Sequence, residues 1–105
     1  MTPVTLYRTA QQDIIDRRDK RRVQTDDPAL LRLLKPFVPG HLSVRIVDVS
    51  KDGLRISTQT ALEPGSLVHL RMRNSAVIAE VRHCSASPDG FLAGLQVDSV
   101  TKLHA

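Results

Sequence analysis

Arginines make up the first group of residues able to do chemistry. Arg17, Arg18, Arg21 and Arg22 stand close together with Lys20, and only Asp19 interrupts the run. Two overlapping Arg-x-x-x-Arg frames result, Arg18 to Arg22 and Arg17 to Arg21. A guanidinium is a planar fork that grips phosphate oxygens in pairs, or the O6/N7 edge of guanine. Its flat face also stacks on a purine ring. Lysines in the same places would offer point charges without the fork or the plane. The second group is Asp48-Val49-Ser50-Lys51-Asp52-Gly53. Asp48 is an acceptor suited to the N1–H and N2–H donors on guanine's Watson–Crick edge, and the Ser50 hydroxyl can donate to a phosphate or base oxygen. Gly53 permits a tight turn and a close ligand approach that a Cβ would obstruct. Taken singly, each group has an ordinary explanation. A basic run is commonly solvated or drawn to nucleic acid in general. An Asp-x-Ser-x-x-Gly stretch is commonly a turn in which Asp and Ser bond nearby backbone and Gly takes φ > 0.

These residues need elements to hold them. From residue 41 onward apolar residues recur with period two, the mark of half-buried strands. Leu42, Val44 and Ile46 form one such set, and Leu54 with Ile56 a second. Val68, Leu70 and Met72 alternate with His69, Arg71 and Arg73; Val77, Ala79 and Val81 alternate with Glu80 and Arg82. Phe91, Ala93, Leu95 and Val97 complete the series. Lys51-Asp52-Gly53, Glu63-Pro64-Gly65-Ser66, Arg73-Asn74-Ser75 and Ser87-Pro88-Asp89-Gly90 carry turn chemistry between the runs. Short strands so spaced predict an antiparallel sheet that closes on itself, because closure removes exposed edges. Residues 27–40 read two ways. Asp27-Pro28 is a fair helix start, and Ala29 to Leu34 are good helix formers. Pro36 cuts that run short, and a barrel needs a strand there, paired with residues 42–48 across a turn at 36–40. The strand is the reading adopted.

Composition bounds the rest. The chain has 105 residues, enough for one domain. Apolar residues at 41% and charged residues at 25% are ordinary globular usage, so a packed core follows. Aromatics at 3%, with no Trp, leave Val, Leu, Ile and Ala to build that core and argue against stacking a run of single-stranded bases. The net charge of +4 favours an anionic partner. The lone Cys84 forms no internal disulfide and no Cys-based zinc site. His83 and Cys84 near Glu80 read as strand residues, and His41, His69 and His104 show no ligand spacing. Asp26 and Asp27 are neighbours on a loop, not an acid–base pair. His69, Arg71 and Arg73 form an outward stripe, read as a solvated face. The chain shows no signal-peptide pattern and no membrane-spanning run, so a cytoplasmic, non-enzymatic protein without metal or cofactor is expected.

In this order, the arginine frames and the Asp-x-Ser-x-x-Gly turn resemble the PilZ domain family. That family pairs an Arg-x-x-x-Arg motif in an N-terminal loop with an (Asp/Asn)-x-Ser-x-x-Gly motif at a strand turn. Glu63-Pro64-Gly65 before an apolar strand and the ending Gly94-Leu95-Gln96-Val97 are similar to it as well. The resemblance implies a small six-stranded antiparallel β-barrel over residues 16–105, with residues 1–15 as an N-terminal tail and a flexible arm carrying the arginines. It implies cyclic di-GMP as ligand, with Arg17, Arg18, Arg21, Arg22, Asp48, Ser50 and Gly53 as the residues that hold it. Val23 after Arg22 matches the family pattern, which makes Arg18 and Arg22 the leading pair. The number of arginines favours an intercalated pair of ligands over one. With no output domain in the chain, signalling would pass by ligand-induced ordering to a downstream protein, in motility or exopolysaccharide control. A small basic barrel binding RNA or single-stranded DNA, and a ligand-independent adaptor, are the alternative readings.

Overall fold

A computed structural model describes residues 23–103, which form six strands. They are β1 (Val23–Lys35), β2 (Phe37–Val49), β3 (Gly53–Thr58), β4 (Leu67–Arg71), β5 (Ser75–Ser87) and β6 (Gly90–Lys102). All pairings are antiparallel, in the order β1-β2-β3-β6-β5-β4, and β4 returns to β1 to close the barrel. The closed antiparallel sheet expected from the alternation, with the six strands that the resemblance implies, is therefore the fold observed. The N-terminal arm expected ahead of it lies outside the described residues.

Alternation sorts the side chains as the sequence predicts. Val44, Ile46, Leu54, Ile56, Val68, Leu70, Val77, Ala79, Val81, Ala93 and Leu95 are all buried in one core. Full burial of a Val, Leu or Ile contributes about 1.5–3 kcal/mol. β-branched and γ-branched aliphatics fill the narrow interior that six strands enclose. Cys84 faces inward beside this core, and its Sγ accepts a hydrogen bond from the Leu62 N–H at 3.4 Å. That contact places it as a packing residue.

Residues 28–35 belong to strand β1, as adopted. Ala29 and Leu31 are buried while Leu30 and Arg32 are exposed, so tertiary period two overrides the helical propensity of the run. β1 must also serve two neighbours at once, pairing Leu31 with Leu42 of β2 and with Leu70 of β4. Pro28 precedes the point at which β4 joins, at Leu30, and so sits where β1 is paired on one side, a place where a missing N–H is tolerated.

Two expectations need correction. The turn between β1 and β2 is not at 36–40: Leu34 already pairs with Phe37 across Pro36, which follows a cis peptide bond. Leu31 pairs with Leu42 and Leu33 with Val38, so Pro39, Gly40 and His41 stand opposite the single residue Arg32. Pro39 lacks a donor for the ladder, and its turn-like sequence is spent on this bulge inside β2. The stripe His69-Arg71-Arg73 is likewise shorter than read. β4 ends at Arg71, and His69 is half-buried, with its Nδ1 atom buried and without a hydrogen-bond partner.

Candidate ligand-binding site

The turn between β2 and β3 is built around a buried carboxylate. Asp48 pairs with Gln24 of β1 on one side and Arg55 of β3 on the other. A register shift between Ile46 and Asp48 breaks the plain alternation of β2 at this point and sets Asp48 directly across from Arg55. Asp48 is only 2% exposed. A carboxylate removed from water to that extent needs charge-assisted partners. Arg55 supplies two contacts to one oxygen: its Nε donates to Oδ2 at 2.8 Å, and its Nη2 lies 2.6 Å from the same atom. Acceptance by Asp48 raises the guanidinium's pKa above arginine's ordinary value, against the opposing effect of partial burial. The Arg55 side chain keeps 35% of its surface open to solvent.

Ser50 closes the turn. Its N–H donates to the Gly53 carbonyl at 2.9 Å, and its hydroxyl reaches the same oxygen at 3.3 Å. The first is an ordinary backbone bond and the second is long, so the turn does not depend on the hydroxyl. The Val97 N–H donates to the Asp52 carbonyl at 3.2 Å, which ties the turn to β6. Gly53 is required by the packing of the strands and not by its backbone φ. Its φ is not among the positive values, which belong to Gly40, Gly65 and Gly90. A Cβ at Gly53 would instead stand 2.1 Å from the Leu95 carbonyl oxygen of β6. The missing side chain makes room for the neighbouring strand.

The outer row continues beyond Arg55. Arg55 pairs with Gly94 of β6, and Gly94 with His83 of β5. A Cβ at Gly94 would lie 2.2 Å from His83 Nε2, so the imidazole rests against bare β6 backbone, one strand away from Arg55. His83 is exposed and its ring is free to turn aside. Replacing Gly94 by alanine is therefore expected to move the His83 ring proton resonances while costing less than about 1 kcal/mol of stability. Thermal melting and ring proton chemical shifts check the two halves of that statement.

Asp48, Ser50 and Gly53, singled out from the sequence, thus share one turn. Arg17, Arg18, Arg21 and Arg22 lie outside the described residues. Arg55 escaped the sequence reading, although a signal existed: it is outward-facing by alternation and stands two residues past Gly53. Among the described residues, no group of three or more His, Cys, Asp or Glu side chains could hold a metal ion. Among them also, no helix is long and apolar enough to cross a membrane.

Comparison with protein families matches the PilZ domain over residues 16–104, a span that takes in both arginine frames and the 48–53 turn. No curated protein matches the chain.

Proposed function

The chain belongs to the PilZ domain family, generally a family of cyclic di-GMP-binding and not catalytic domains, and from that premise we propose that it is a cyclic di-GMP receptor whose ligand lies between Arg17, Arg18, Arg21 and Arg22 and the turn at Asp48, Ser50 and Gly53. The observation that carries this reading is the buried, cation-held carboxylate of Asp48 at the lip of a turn closed by Ser50. A carboxylate accepts from guanine N1–H and N2–H together, and adenine offers neither N2–H nor O6. The Ser50 hydroxyl exchanges its long turn bond for a ligand oxygen while the backbone bond keeps the turn intact. The arginines take the two phosphates and the purine faces. Neutralising their charge changes what this side of the barrel presents to a second protein, which is how the message leaves the domain. The proposed setting is the cytoplasm.

Isothermal titration with cyclic di-GMP, cyclic di-AMP and GTP tests the reading, with Arg18→Ala as control. The expected result is binding of about micromolar strength or tighter, confined to cyclic di-GMP and at least tenfold weaker in the variant. Comparable binding of random oligonucleotides with a steep salt dependence favours the nucleic-acid alternative. Absence of binding to any of the three nucleotides leaves the barrel as a protein adaptor and ends the receptor reading.

A further inference from the structure

We infer that Arg55 is a positioning residue for nucleotide recognition, setting the plane of the Asp48 carboxylate that reads the guanine. The inference rests on the receptor reading above and adds a residue to it. Three observations carry it. Both Arg55 contacts fall on Oδ2, the Nε at 2.8 Å and the Nη2 at 2.6 Å, so the guanidinium fork fixes the rotation of the carboxylate about its χ2 bond. Asp48 is 2% exposed, so bulk water does not compete to reorient it. The pair is cross-strand, with Asp48 on β2 and Arg55 on β3 in direct register, and both strands are rooted in the core through Ile46, Leu54 and Ile56. The Arg55 contacts thereby tie the carboxylate to the barrel frame.

Such aiming has a chemical consequence. A carboxylate offers about four lone-pair positions in one plane, so fixing one oxygen fixes the directions from which every other donor must approach. Two parallel donors on a guanine edge are read only by an acceptor held in their plane. A carboxylate rotated out of that plane still attracts a proton donor but discriminates poorly between purines. Arg55 therefore acts on selectivity as well as on affinity. Its neighbour on β6 is Gly94, which brings no side chain of its own beside Arg55, the space over it being taken by the His83 ring.

A double-mutant cycle decides the matter, because it separates a residue acting through Asp48 from one that touches the ligand itself. The variants are Arg55→Met, Arg55→Lys, Asp48→Asn and Arg55→Met with Asp48→Asn, each titrated with cyclic di-GMP and cyclic di-AMP at a temperature well below its melting point. Arg55→Met is expected to weaken cyclic di-GMP binding about tenfold and to narrow the preference over cyclic di-AMP by a similar factor. Arg55→Lys recovers part of the affinity, because it keeps the charge but not the fork. In the Asp48→Asn background, Arg55→Met has little further effect, within about twofold. An equal loss in both backgrounds overturns the inference in favour of direct ligand contact, and unchanged affinity and selectivity in folded Arg55→Met overturns it outright. Should Arg55→Met fail to fold, Arg55→Lys and Arg55→Gln give the same reading through their selectivity ratios. If the unaltered protein binds no cyclic di-GMP, the receptor reading fails first, and the result is recognisable as such before any variant is made.

Discussion

Replacing Asp48 by alanine is expected to abolish measurable binding of cyclic di-GMP while leaving a folded barrel. Two hydrogen bonds from the guanine edge to a charged acceptor are lost, at about 1.5–3 kcal/mol each, which amounts to roughly a hundred- to ten-thousand-fold in affinity. The fold survives because the cation left behind is not itself sealed in: the Arg55 side chain is 35% exposed and can turn to water. The neighbouring core does not rely on Asp48, since Ile46, Val49, Leu54 and Ile56 contribute its apolar burial on either side. Asparagine at the same position is the informative comparison. It keeps one acceptor but places a donor where the second is needed, so affinity falls less than with alanine and selectivity falls with it. Isothermal titration of the two variants, with circular dichroism to verify the strands, checks this ordering. Binding by Asp48→Ala within threefold of the unaltered protein would show that the guanine edge is read elsewhere.

How much of this site the sequence discloses depends on whether a feature is local. The β2 and β3 strands are legible because alternation is written into neighbouring residues: Val44 and Ile46 against Ser43 and Arg45, Leu54 and Ile56 against Arg55 and Ser57. The turn at Asp48, Ser50 and Gly53 is legible for the same reason, its residue types being those that turns demand. The partnership of Asp48 with Arg55 is not. It follows from a register shift between Ile46 and Asp48, a property of how two strands slide against each other. Nothing in the run Val47-Asp48-Val49 separates a bulged strand from a regular one. The β1–β2 connection shows the converse error. Pro39-Gly40 is strong turn chemistry, yet it sits in a bulge of β2, because pairing of Leu34 with Phe37 satisfies the ladder closer to Pro36. Helical propensity from Ala29 to Leu34 competes with the strand reading, which is the one adopted and observed: two flanking strands supply cross-strand contacts that no isolated segment contains. Local chemistry announces a site. Register decides which residue it is paired with.

Gly53 is where fold and site meet, and its replacement by alanine is expected to cost more stability than any change on the exposed rim of the turn. The reason lies in β6, far along the chain. An added Cβ would stand 2.1 Å from the Leu95 carbonyl oxygen, closer than real Cβ contacts come, and 3.2 Å from its carbon. Backbone is the obstacle, so no rotamer change relieves the clash and β3 must move away from β6. That movement strains the pairing of Gly53 with Gln96 and of Leu54 with Leu95, and Leu54 and Leu95 both belong to the core. Overpacking of this kind costs about 1–3 kcal/mol and occasionally more, and backbone involvement places Gly53→Ala at the upper end. For a domain of this size the melting temperature should fall by on the order of 15 °C. Ligand binding should weaken in step, since the displaced end of β3 carries the Ser50–Gly53 bond that shapes the turn and lies two residues from Arg55. Differential scanning calorimetry with and without cyclic di-GMP measures both effects together. A melting temperature within about 3 °C of the parent's, less than 1 kcal/mol of destabilisation, would mean that β6 yields easily at Leu95. In that event Gly53 would owe its place to the ligand's approach and not to the barrel.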